Sequence, residues 1–293
     1  MRRPGILQWL MVLPVQGLVI AIIAIPSLWI FWLSLNESTY GQAPVFVGLA
    51  NYAKLLADRY FWRAFVNTFV VVNVIVYVEM ALALAIASLF AAGIPWRPVV
   101  LAIVLLPYAV SEVVAVIIWK FLMDPEIGFL TRPLTDLGLP YFDWAIDPVH
   151  GLALVCIISV WLHLPFTFLI VYAARLTVPS ELYEAARIDG ATAWQTFRRV
   201  TFPMLVPAML VALVFRYIFA FRLFSEVWLL TQGGPARLTE VLAVYLYRQS
   251  FTYNNFGLAS ASGWVMVLLS GLIALVYMRL MYRRMFAETG AGA

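Results

Sequence analysis

The chain has 293 residues, 64% of them hydrophobic and 12% charged, with a formal net charge of +4. Soluble globular chains are nearer half apolar and a quarter charged, so this composition excludes a soluble domain and predicts an all-α integral membrane protein. The basic excess then reads as an orientation signal rather than a nucleic-acid surface.

A spanning helix needs about 20 mostly apolar residues, and six segments supply them, at about 10–35, 65–92, 98–122, 151–175, 205–230 and 258–282. They are expected to be helical, because an open sheet in lipid leaves backbone groups unpaired, and to form one transmembrane domain over 1–293. The first run follows Met1-Arg2-Arg3 and is too long for the apolar region of a signal peptide, about 7–15 residues, so it reads as a retained membrane helix. Six spans place both termini on one side. Arg2, Arg3, Arg97, Arg175, Arg187, Arg198, Arg199, Arg279, Arg283 and Arg284 would all lie on that side, which the positive-inside rule makes cytoplasmic. The opposite loop at 123–150 carries Asp124, Glu126, Asp136, Asp143 and Asp147, with Tyr141 and Trp144. The other outer loop, 36–64, carries Asn36, Tyr40, Tyr52, Tyr60 and Trp62; such aromatics serve as interfacial anchors or as contacts for an external partner. Cys156 is the single cysteine and reads as a small buried hydrophobe. No metal-ligand spacing appears, and no metal site is expected.

Between the fourth and fifth spans the loop 176–204 is a polar island. Pro179 to Pro203 reads as two short helices. Ser180 is placed to cap the first, with Glu181 and Glu184 where the helix dipole favours acids. Gly190 suits the C-terminal turn, and Thr192 followed by Gln195 is a capping-box pattern for the second helix. A helix with acidic, small and apolar faces fits either a pocket in another protein or a membrane surface, although Glu181, Glu184 and Asp189 would be repelled by anionic headgroups.

Glu184-Ala185-Ala186, three residues, Gly190, and then Val200-Thr201-Phe202-Pro203 resembles the signature loop of ABC importer permeases, with Val200 and Phe202 in place of the usual Ile and Leu. The flanks Pro179-Ser180-Glu181-Leu182-Tyr183 and Ile188-Asp189-Gly190-Ala191 resemble the carbohydrate-uptake branch, as does Leu229-Leu230-Thr231-Gln232-Gly233-Gly234-Pro235. That second motif is similar to the first of the two permeases in maltose-type systems. The resemblance covers about residues 10–285. It implies six transmembrane helices with a cytoplasmic coupling helix between the fourth and fifth, in the inner membrane. It implies that Glu184, Ala185, Ala186, Asp189 and Gly190 dock in an ATPase subunit. It further implies two ATPase copies that bind ATP and Mg, a second permease chain, an external solute-binding protein, and transport of a sugar or sugar derivative by alternating access. No cofactor and no enzymatic activity are expected in this chain: its only lysines, Lys54 and Lys120, do not end a phosphate-binding loop.

Ionisable residues at membrane depth are costly and face a cavity or another helix. Ser159, His163 and Phe166 share one face of the fourth span, and Arg216, Phe219, Ala220 and Leu223 one face of the fifth. Pro165, just after His163, is a candidate break. Polar donors with aromatic faces suit a polyhydroxylated ligand, and the resemblance implies that these two spans line the substrate cavity, with Ser159, His163, Phe166, Arg216, Phe219 and Arg222 as substrate-binding candidates. Arg216 has a second reading as a partner of Glu79, Glu112 or an acid on another chain. Arg222 and Glu226 read as a salt bridge or gate, and Glu79 and Glu112 as contacts between helices or subunits. Arg216 with Arg222 would suit an anionic sugar, yet arginine's donor fork also serves neutral ones. A stand-alone secondary transporter or channel for a small polar solute would explain the buried charges but not the loop, and lacks the paired half-chain pattern of many carriers. A membrane enzyme would need an acid–base or metal set around His163, which is missing.

Overall fold

The computed structural model describes residues 6–138 and 142–289; Arg2, Arg3 and Tyr141 lie outside them, and the side chains of Arg283 and Arg284 are likewise outside what is described. The chain is helical almost throughout. In order it forms α1 (Ile6–Ser34), a two-stranded antiparallel hairpin of β1 (Asn36–Glu37) and β2 (Val45–Phe46), α2 (Ala50–Ala57), α3 (Arg59–Ala91), α4 (Arg97–Leu105), α5 (Glu112–Leu122), α6 (Thr131–Asp136), α7 (Pro148–Leu176), α8 (Ser180–Ile188), α9 (Ala193–Thr196), α10 (Phe202–Ala220), α11 (Ser225–Leu230), α12 (Leu242–Tyr247) and α13 (Phe256–Thr289). Among the described residues, five helical stretches are long and apolar enough to cross a membrane: Met11–Ser34, Arg59–Ala91, Pro148–Leu176, Ala193–Ala220 and Phe256–Leu280. A sixth arises if Arg97–Ala109 and Glu112–Leu122, bent by 104°, count as one.

Two expected spans are therefore corrected. The third, 98–122, is not one straight helix. Pro107 draws its first half into a 3-10 turn at Leu106–Ala109, and Ser111 is extended (φ −60, ψ 136) before α5 begins; a proline cannot donate to the ladder, so the helix is free to turn there. The fifth, 205–230, ends at Ala220. Phe224 leaves helical geometry (φ −132, ψ −57) and a separate short helix, α11, follows. The expected break at Pro165 does not occur: α7 runs through it, and proline is tolerated within membrane helices.

The chain divides into two compact units, residues 1–62 with 245–267 and residues 63–244 with 268–293. In the first, the hairpin is tied down by Asn51, whose amide donates to the carbonyls of Ser34 (2.9 Å) and Asn36 (2.8 Å). Tyr52 bonds Ser34 (2.9 Å), and Tyr245 donates to Asp58 (2.7 Å). Gly257 passes so close to the Asn36 carbonyl that a Cβ would lie 2.2 Å from it. In the second, Val72, Val76, Met80, Ala83, Ala87 and Phe90 recur at three- and four-residue intervals on α3, the spacing of one helix face. They pack against Phe168 and Val171 of α7 and Leu205, Leu210 and Leu213 of α10. Asn67 fixes the segment after α11 by donating to the carbonyls of Leu238 (2.8 Å) and Glu240 (2.9 Å). The Gly233-Gly234 turn closes on itself, with Thr239 donating its hydroxyl to the Gly234 carbonyl at 2.7 Å and its N–H to that of Gly233 at 3.1 Å.

Candidate functional site: a polar cavity and an exposed loop

The two helix breaks meet at one place. A cavity of about 440 Å³ is lined by Tyr108 and Glu112 from the bend between α4 and α5, by Ser159 and His163 of α7, by Arg216, Phe219 and Ala220 of α10, and by Arg222, Leu223, Ser225 and Glu226 at the break before α11. Glu112 and Glu226 each sit in the first turn of a new helix, where the dipole favours an acid. Such interrupted spans are the usual way to present polar groups at membrane depth, since irregular backbone there must line a cavity or be buried in protein.

Arg216 pairs with Glu79 and also faces the cavity. Its Nε donates to Glu79 Oε2 at 2.6 Å, with the two side chains 2% and 0% exposed, and it also lines the cavity. The pair is incompletely satisfied: Arg216 Nη2 and Glu79 Oε1 are buried without a hydrogen-bond partner, and so is Glu226 Oε2. Of the three residues, Arg216 and Glu226 line the cavity, and an unmade buried bond costs about 1–3 kcal/mol. His163 Nδ1 lies 2.9 Å from the Ser159 carbonyl and 3.4 Å from its hydroxyl, which holds the ring against its own helix.

Of the expected substrate residues, Ser159, His163, Arg216, Phe219 and Arg222 share this cavity. Phe166 does not line it. Its ring stands edge-on to Phe215 and Phe219 at 6.3 and 6.2 Å, so it backs the wall that Phe219 presents. No Arg222–Glu226 ion pair forms among the described residues. The break at Phe221–Phe224 takes the two off a common helical face, and the Arg222 guanidinium instead lies 5.7 Å from the Phe219 ring centre. Glu112, expected as a helix contact, is a cavity residue, and Tyr108, Ser225 and Glu226 join it. The described residues hold no cluster of three or more metal-ligating side chains.

The second feature is the loop between α7 and α10. α8 begins at Ser180, with Pro179 rather than Ser180 as its cap and no capping side-chain bond; the fixed φ of proline starts the helix one residue early. Gly190 closes it in the left-handed region (φ +70). The expected capping box is present: Gln195 N–H donates to Thr192 Oγ1 (3.3 Å) while Thr192 N–H donates to Gln195 Oε1 (2.8 Å). Glu184, Ala185, Asp189 and Gly190 are exposed, whereas Ala186 is buried and lets α8 lie close to the rest of its unit. Ile188 and Trp194 are 86% and 67% exposed, an apolar pair beside the acids.

The description "binding-protein-dependent transport system inner membrane component" fits residues 9–287 as a family. The trehalose/maltose transport system permease protein MalF of Thermococcus litoralis is 33% identical over 281 residues, which cover 94% of each chain. The trehalose transport system permease protein SugA of Mycobacterium tuberculosis is 34% identical over 272 residues, covering 92% of this chain and 86% of that one. Among solved structures, a chain of a bacterial ABC transporter involved in the import of the acidic polysaccharide alginate shares the fold, with a TM-score of 0.82 at 24% identity over 94% of this chain and 95% of that one.

Proposed function

This chain belongs to the family of binding-protein-dependent transport system inner membrane components, and we propose that it forms one of the two permease subunits of an ATP-driven importer for a sugar or sugar derivative. The observation that carries this reading is the polar cavity at the two helix breaks, in a chain that is otherwise lipid-like. Its donors and acceptors suit the hydroxyls of a sugar, and the Phe219 ring offers an apolar face. Ser159, His163, Arg216, Phe219 and Arg222 take the substrate, with Glu112 and Glu226 as further acceptors. The names of the relatives, trehalose/maltose and trehalose permeases, agree with this.

In the same reading, the bent pair α4–α5 crosses as one span. The chain then crosses six times, with both termini and the 176–204 loop in the cytoplasm. α8 is the coupling helix: Glu184, Ala185, Ala186, Asp189 and Gly190 seat it in an ATPase subunit, which binds ATP and Mg. A second permease completes the pathway, and an external binding protein delivers substrate. The exposure of the α8 acids and of Ile188 and Trp194 supports a docking surface. Purification of the tagged chain in mild detergent from its own host tests the assembly. Mass spectrometry is expected to find an ATPase and a second permease in the complex; recovery of the chain alone, still transporting without ATP, would replace this reading with a secondary carrier.

A further inference from the structure

A coupling helix does work only if its movement reaches the cavity walls, and α8 hangs from two short connectors, 177–179 and 189–192. The second contains Gly190, the residue type that most easily absorbs a change in backbone angle. Pushed by a partner, α8 would swing on these connectors unless something stiffens it. One α8 side chain does so. Tyr183, three residues before the buried Ala186 and hence on the same inward face, carries the guanidinium of Arg175 over its ring at 4.3 Å from the centre. Its hydroxyl lies 3.2 Å from Thr201 Oγ1. Arg175 is in the last turn of α7. Thr201 is buried at the end of the π-helical turn Phe197–Thr201 that leads into α10. Among the described residues, no other α8 side chain makes a hydrogen bond or ring contact with either element.

We propose that Tyr183 is a positioning residue, a strut that clamps the coupling helix to α7 and α10 together and so passes its displacement to both walls of the cavity. The inference rests on the importer reading above. From Arg175 to His163 along α7 is about 18 Å, and from Thr201 to Arg216 along α10 about 22 Å, at 1.5 Å per residue. Unbroken helices of that length carry an end displacement along their axes. The Tyr183 ring holds α7 and its hydroxyl holds α10, so the two contacts can be removed separately. Tyr183→Phe and Thr201→Val remove only the hydroxyl bond, Arg175→Met removes only the cation over the ring, and Tyr183→Leu removes both.

The test follows motion rather than substrate. In the assembled complex, Cys156→Ser removes the native thiol and Phe219→Cys places one on the cavity wall, and its maleimide labelling rate is read before and after the ATPase is trapped with ATP and vanadate. Without further change, trapping is expected to alter the rate about tenfold, within the 5- to 150-fold range of typical coupling between sites. With Tyr183→Leu, the ATPase should still co-purify and trap to the same extent, while the change in labelling falls below about twofold. Tyr183→Phe, Thr201→Val and Arg175→Met should fall between and keep the unfolding temperature of the parent. An undiminished response in Tyr183→Leu overturns the strut, as does loss of the ATPase from that complex, which would make Tyr183 part of the docking surface. If Tyr183→Leu does not accumulate, undiminished responses in all three milder variants overturn the strut equally. Absence of any trapping response in the parent complex would count against the importer reading instead.

Discussion

The polar groups at the turn into α9 bond one another at close range in sequence, whereas those of the cavity are gathered from four helices and left partly unpaired. Thr192 and Gln195 exchange bonds over three residues, and the acids of α8 stand in solvent. Arg216 and Glu79 are 137 positions apart, fully buried, and each keeps one atom without a partner. In the proposed reading a partner grips the loop from outside, and a small polar molecule completes the cavity. Damage should follow the same division: cavity changes cost stability, and loop changes cost coupling.

The largest effect is expected at the buried pair. Removing one member strands the other charge, so Arg216→Met should lower stability by about 3–5 kcal/mol, while Glu79→Leu combined with Arg216→Met should recover most of it. Thermal unfolding in detergent reads both, and an unchanged single variant would erase the contrast between the two regions. Gly190→Asp comes next. Open space surrounds Gly190, but its φ of +70 costs a side chain about 1–2 kcal/mol, concentrated in the turn that orients α8. Uptake per ATP hydrolysed should drop while the chain still inserts; full uptake would count heavily against a docking role for this turn. Thr192→Ala should remove about 0.5–2 kcal/mol of local helix stability, seen as faster amide exchange over α9 with little change in global unfolding temperature.

The smallest effect concerns the N-terminal end of α7. Asp147 accepts from the backbone N–H groups of His150 (3.2 Å) and Val149 (2.7 Å), which hold its carboxyl below the usual carboxylate range. A depressed folded-state value means the cap stabilises above the unfolded-state pKa and is lost as pH falls through the folded one. Asp147→Ala should therefore unfold slightly earlier than the parent at neutral pH, and the two unfolding curves should converge as the medium is acidified through the carboxylate range. Curves equally far apart at acid and neutral pH would contradict the cap.

The same division decides what could be read from the chain alone. The loop carries its structure in short-range chemistry, so Gly190 and the Thr192–Gln195 box were visible, as were the apolar runs that became α3, α7 and α13. The cavity was half visible. Four- and three-residue spacing put Ser159 with His163 and Arg216 with Phe219, but hydropathy averaged over a span did not distinguish a straight one from a broken one. This is why Glu112 was not expected in the cavity and why an Arg222–Glu226 pair was expected across a helix that does not continue. A signal was present: each break is followed by Ser-Glu, at Ser111-Glu112 and Ser225-Glu226, the residue types of a helix start. That Glu79 rather than Glu112 takes Arg216 depends on tertiary packing and had no local signature.

The central claim is that this chain moves a sugar only when a partner ATPase drives it. The most direct measurement is uptake of radiolabelled trehalose and maltose into proteoliposomes holding the purified complex, with the external binding protein outside and ATP inside. Uptake of at least one sugar that requires both ATP and the binding protein is the predicted result. Uptake by this chain reconstituted alone, indifferent to ATP, would contradict it.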